Sequence, residues 1–154
     1  AEQLRKADLC HPALRTDEIA RIASIISEFP SVRLALLTYQ RAFASSPPSG
    51  RGAVIEGRDI GTVVCPDAQI KLFIDASLEV RAKRRYEELR KRGEHTIFKD
   101  VCSQMIKRDS RDRKRAQSPL VPAADAHLLD TTELNIEEVF SAACDLIGLF
   151  TLQT

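Results

Sequence analysis

Between residues 107 and 115 the chain reads KRDSRDRKR, six basic and two acidic side chains in nine positions. If this segment is helical, Arg108, Asp112 and Arg115 stand at i, i+4 and i+7 on one stripe, and Lys107, Arg111 and Lys114 form a second stripe beside it. Guanidinium groups match phosphate oxygens two at a time, and an aspartate accepts from sugar hydroxyls, so the pattern suits a nucleotide. The competing reading is a solvated helix face whose i,i+4 charges neutralise one another.

Two further stretches carry candidate chemistry. In GRDIG (57–61), Arg58 and Asp59 are adjacent in a glycine-bounded loop that follows a short apolar run, a poor composition for a mere turn and a good one for a ligand loop. RAKRRYEELRKR (81–92) is basic as well, but Glu87 and Glu88 offer Arg84 and Lys91 partners at helical spacing, which favours a solvated face. Ser24 and Arg33, taken singly, read as a core hydroxyl and a surface cation.

These residues need a scaffold, and 154 residues are enough for one domain with a real core. Lys+Arg 23 against Asp+Glu 22 leaves a formal net charge of +1, so the basic cluster acts locally, on a small anionic partner. Aromatic content of 5% and the absence of Trp argue against single-stranded RNA, whose binders need stacking platforms and a basic groove. Cys10, Cys65, Cys102 and Cys144 form no CxxC, and His11, His95 and His127 are not spaced to complete a metal set, so free thiols in a reducing cytoplasm are expected. No apolar run approaches a membrane span and the first residues are charged, so neither a membrane partner nor a secretory signal is expected. The chain does not begin with Met, and its first segment reads like the middle of something longer.

Thr16, followed by acids and by Ile19, Ile22, Ala23 and Ile26, predicts a helix over about 17–28. Pro30 opens a second, with Val32, Leu36, Tyr39 and Phe43 on its buried face. AVIEG from Ala53 reads as a strand, QIKLFID (69–75) as a second and HLLDT as a third. Ser77 caps a helix through about Arg92, another begins near 97, and Asn135 with Glu138 forms a capping box for a last helix to about Gly148. Strands alternating with helices imply an α/β fold with a parallel sheet and ligands at the carboxyl ends of the strands, where Gly57, Arg58, Asp59, Asp75 and Asp130 fall.

Several stretches, in order and spacing over about residues 14–140, resemble the bacterial cytidylate kinases of the nucleoside monophosphate kinase group. They are LRTDEIARIAS, FPSVRLALL, QRAFA, GRDIGTVVCPDAQIKLFIDAS, RAKRRYEELRKRG and IKRDSRDRKRAQSPLVPAADAHLLDTT. The resemblance implies a P-loop NTPase-like parallel sheet and phosphoryl transfer from ATP, with Mg2+, to CMP or dCMP. It implies that Ser24, Arg33 and Asp59 line the cytosine pocket with Arg115, that Arg108 and Asp112 approach the sugar and that Arg58 approaches the CMP phosphate. It implies too that Arg111 and Arg113 belong to a mobile lid and that Arg58, Arg111, Arg113 and Arg115 are the catalytic cations. The residue types agree: Asp59 can accept from the cytosine amino group while Arg33 supplies the ring acceptors, and uracil would set an oxygen against that carboxylate. Residues 1–50 are then a helical CMP-binding part, 51–76 with 119–154 the α/β core, and 77–118 a helical and lid segment. An intact monomer in the cytoplasm, with no nucleic-acid partner, is expected.

The family's ATP cradle, GxxxxGK[ST], has no match here, and Glu56 replaces the usual Asp before GRD. The resemblance therefore implies an incomplete fold, lacking the first strand and the phosphate loop, and a chain inactive alone. The competing functions are a kinase for UMP or AMP, a nucleotide- or RNA-binding fragment without catalysis, and an oligomerisation fragment.

Overall fold

The computed structural model describes residues 11, 14 and 16–151, so Cys10 and the charged first segment lie outside the described residues. Five α-helices and two strands follow in the order α1 (Asp17–Ile26), α2 (Pro30–Ser45), a π-helical turn (Ile60–Val64), β1 (Leu72–Asp75), α3 (Leu78–Lys91), α4 (Phe98–Lys114), β2 (His127–Asp130) and α5 (Ile136–Thr151). The helix starts obey local chemistry. Thr16 accepts the Ile19 N–H at 3.4 Å, Pro30 sits in the first turn of α2, and Ser77 accepts the Val80 N–H at 3.4 Å. At α5 the capping box is complete: the Asn135 N–H donates to Glu138 Oε2 at 2.8 Å and the Glu138 N–H to Asn135 Oδ1 at 2.9 Å.

β1 and β2 are parallel, with Leu72 opposite His127 and Asp75 opposite Asp130, so α3 and α4 form the crossover between them. The fold is α/β. AVIEG is not a strand: residues 53–56 pair with no other described segment, and Val54 is 97% exposed. An extended run becomes a strand only beside a partner that takes its N–H and C=O groups, and none of the described residues supplies one.

Among the described residues, Val64, Ala76, Ala82, Leu89 and Val101 are the buried apolar ones, and Ala82, Leu89 and Val101 lie where α3 packs on α4. The expected buried face of α2 is open among the described residues, with Tyr39 52% exposed and Leu36 and Phe43 little less so. Ile74 and Leu128 likewise leave apolar surface on the sheet uncovered.

With so modest a core, polar clamps fix the strand ends. Thr131, 3% exposed, donates its N–H to the Asp75 carbonyl at 2.8 Å and its hydroxyl to the same oxygen at 3.0 Å. Arg84 of α3 donates to Thr131 Oγ1 at 3.0 Å, to the Thr131 carbonyl at 2.6 Å and to the Leu134 carbonyl at 2.8 Å. The sequence pattern pairs Arg84 with a glutamate on its own helix. Instead Glu88 takes Arg85 at 2.7 Å and Arg92, its carboxyl held below the usual carboxylate range chiefly by the Arg85 hydrogen bond.

Arg84→Ala strands two carbonyls and should cost about 2 kcal/mol, because hydrogen bonds from a charged donor are worth roughly 1.5–3 kcal/mol. Lys83→Ala, on an exposed position of the same helix, should stay within about 0.5 kcal/mol. Equal effects in urea unfolding would refute the clamp.

Candidate active site

Helix α4 reaches as far as Lys114, so the basic segment is helical as its spacing implies, but its charges divide into three rows and not two. Successive rows of a helix face different neighbours, and each row here meets a different element.

The first row is Arg108 and Asp112. Asp112 is only 3% exposed, and its Oδ2 lies 3.2 Å from Arg58 Nε and 3.9 Å from Arg108 Nε. Two guanidinium groups thus share one carboxylate. Burial lowers the Arg108 pKa, and the nearby Arg58 charge lowers it further. Arginine stays protonated nonetheless, so the pair keeps an uncompensated positive charge. Beside it is a cavity of about 340 Å³ lined by Arg58, Arg81, Arg84, Arg85, Arg108 and Asp109, among others.

The second row, Arg111 and Arg115, turns towards α1. Arg111 donates to Ser24 Oγ at 2.8 Å, and its Nε lies 3.5 Å from Glu28 Oε1. Arg115 donates through NH1 to Ser27 Oγ at 3.4 Å, while its Nε and NH2 are buried without a partner. Arg115 caps the helix with φ −57° and ψ 135°, so the chain leaves the helix after it, and its side chain reaches Ser27 of the α1 end. Arg111, Arg115, Lys114, Glu28 and Gln117 line a groove of about 430 Å³.

The third row, Asp109 and Arg113, faces α3 and the end of β1. Arg81 NH2 lies 2.8 Å from Asp109 Oδ2 and raises its own pKa mainly by that hydrogen bond. Asp75, the last residue of β1, sits 3.7 Å from Arg81 and 3.8 Å from Arg113.

Arg33 and Asp59 form an ion pair across the site. Asp59, 9% exposed, precedes the π-helical turn, and its carbonyl accepts the Val63 and Val64 N–H groups at 2.9 and 3.2 Å, so the turn anchors the GRD loop. Arg33 also donates to the Ser27 carbonyl at 3.3 Å, which brings it to the residue that holds Arg115. Ser24, Arg33, Asp59, Arg111 and Arg115 therefore gather around the end of α1, and Arg58, Arg108 and Asp112 form the adjoining group. Arg113 stands apart from both, beside Asp75. Asp130 serves locally, accepting from Thr132 N–H at 2.9 Å and from its hydroxyl at 2.6 Å. Sequence reasoning overlooked Arg81, Arg84 and Arg85 as cavity walls, although their i, i+3 and i+4 spacing marks one face of α3.

Residues 4–148 match the family model described as Cytidylate kinase. This chain belongs to the cytidylate kinase family. It is 53% identical over 148 residues to the cytidylate kinase of Paramagnetospirillum magneticum, covering 96% of this chain and 70% of that protein. It is 53% identical over 134 residues to that of Bartonella bacilliformis, covering 87% and 61%, and 50% identical over 147 residues to that of Mesorhizobium japonicum, covering 96% and 67%. The chain thus spans between 61% and 70% of the length of these cytidylate kinases.

Asp112→Asn would remove the one negative charge between Arg58 and Arg108. The variant should melt lower than the wild type yet gain more thermal stability from added inorganic phosphate, since the unbalanced guanidinium pair then faces an anion directly. Identical phosphate-induced shifts in the two proteins would count against an anion site at this pair.

Proposed function

We propose that this chain carries the acceptor-nucleotide side of an ATP-dependent kinase that phosphorylates CMP or dCMP. The observation that carries the reading is the buried, unpartnered Nε/NH2 edge of Arg115, a residue that shares Ser27 with Arg33 of the Arg33–Asp59 pair. A guanidinium edge spans two adjacent acceptors, and cytosine presents a ring nitrogen and a carbonyl oxygen side by side, next to an amino donor. Asp59 is the acceptor for that amino group, Arg33 and Arg115 meet the two acceptors, and Ser24 completes the pocket wall. Uracil would turn a carbonyl oxygen towards Asp59 and leave the pair mismatched, so CMP is favoured over UMP.

Arg108 and Asp112 then face the sugar, and Arg58, already short of a full counter-charge, takes the acceptor phosphate. Phosphoryl transfer spreads negative charge over the moving group and rests on positioning and cation placement. Arg111 and Arg113 are the cations expected to swing over the donor. In this structure Arg111 is held on α1 by Ser24 and Glu28, and Arg113 is near Asp75, so each would exchange partners as the site closes.

ATP supplies the phosphoryl group. Mg2+ would accompany it, but no three His, Cys, Asp or Glu side chains among the described residues could hold a metal ion, and no step here runs through one. The division follows the chain: residues 1–50 for the acceptor base, 51–76 with 119–154 for the α/β core, and 77–118 for the closing segment. Among the described residues no helix is long and apolar enough to cross a membrane. A cytoplasmic monomer acting on small molecules fits this reading.

Arg115→Ala in the full-length protein should raise the KM for CMP by about tenfold or more, the cost of losing a charged hydrogen-bonding edge. Asp59→Asn should narrow the preference for CMP over UMP, because an amide can donate to the uracil oxygen. Unchanged CMP kinetics in the first variant would remove Arg115 from the pocket, and an unchanged CMP/UMP ratio in the second would remove Asp59.

A further inference from the structure

Ser27 follows the last helical residue of α1 and caps it, donating its own N–H to the Ala23 carbonyl at 2.9 Å. Both cations assigned to the base pocket, Arg33 and Arg115, are tied to this one serine. Its carbonyl accepts from Arg33 NH1 at 3.3 Å, and its hydroxyl accepts from Arg115 NH1 at 3.4 Å. The hydroxyl proton is committed elsewhere, donated to the Ser24 carbonyl at 2.8 Å. A hydroxyl has one proton and two lone pairs, so that donation turns its acceptor side towards Arg115.

The consequence lies in which edge of Arg115 is free. With NH1 engaged by Ser27, Nε with NH2 remains as the undonated edge, buried and without a partner. Resting on the CMP reading above, we propose that Ser27 is a positioning residue that holds Arg115 in register with Arg33, so that both guanidinium groups address the acceptor edge of one pyrimidine base. Ser27 does not touch the ligand. It acts by removing the rotational freedom that Arg115 would otherwise lose on binding. A merely structural serine would matter to α1 alone, through its bond to the Ser24 carbonyl.

The test uses Ser27→Ala, Ser27→Thr and Arg115→Ala in the full-length protein, with CMP and ATP binding measured separately by calorimetry and melting followed in parallel. Ser27→Ala should weaken CMP about tenfold, as expected for one hydrogen bond from a charged donor. ATP affinity should be unchanged, and the melting temperature should move by less than about 2 °C. Ser27→Thr, which restores a hydroxyl, should recover CMP affinity to within about twofold. Unaltered CMP binding in Ser27→Ala, with binding lost in Arg115→Ala, would overturn the role of Ser27 and leave the pocket standing. A parallel loss of CMP affinity, ATP affinity and melting temperature would make Ser27 structural and overturn the proposal. Unaltered CMP binding in Arg115→Ala would overturn both the proposal and the pocket on which it rests.

Discussion

A guanidinium cannot shed its charge, and each one drawn into the middle of this chain needs an acceptor. Helix α4 meets that constraint with one acceptor of its own and two from its neighbours. Asp112 answers Arg58 and Arg108, α1 answers Arg111 and Arg115, and Asp75 stands by Arg113. The supply of acceptors falls short at two places. One carboxylate serves two guanidinium groups at Asp112, and Arg115 keeps an idle edge. The first borders the cavity lined by Arg58 and Arg108, and the second belongs to a residue of the groove by Glu28.

The same constraint explains how the scaffold holds together. Leu89 is the one large side chain among the described residues that is fully buried, so apolar burial does little to fix the angle of α3 and α4 against the strands. Arg84 fixes it by bonding to the backbone beyond β2, and Arg81 links α3 to Asp109 on α4 and to the end of β1. Lys71 at the approach to β1 performs a similar service with Asp125, 2.6 Å away and just ahead of β2; its hydrogen bond holds the Asp125 carboxyl below the usual range. Such a tie is complete at neutral pH and weakens as acid protonates the carboxylate.

Features governed by a few neighbouring residues were legible in the sequence. Thr16, Pro30, Ser77 and the Asn135/Glu138 pair mark helix starts because a cap is satisfied within one turn. The α4 charge run could be recognised as helical, and the Arg108–Asp112 partnership follows from its spacing. Three things could not be read from local chemistry. AVIEG has the composition of a strand, but pairing depends on a second chain segment. Arg84 has glutamates at helical spacing and bonds to distant carbonyls instead. Arg115 stands at i+7 from Arg108, and its guanidinium bonds to Ser27, a partner 88 residues away that helical spacing does not reveal. The family resemblance gathered Ser24, Arg33, Asp59 and Arg115 into one list, and the end of α1 is what brings them to one place.

The chemical make-up of this charge-rich centre has a consequence for its response to acidity. The cations that pair around the end of α1 and in the Asp112 group are arginines: Arg33 with Asp59, Arg58 and Arg108 with Asp112, and Arg111 with Glu28. Arginine keeps its proton across the whole physiological range. A phosphate monoester, by contrast, gives up its second proton near pH 6 (about −1.5 to −2 charges at pH 7). Between mildly acidic and mildly alkaline conditions the cationic frame is therefore a constant, and the titrating partner is the guest: a nucleotide's own ionisation would set how tightly this surface grips it.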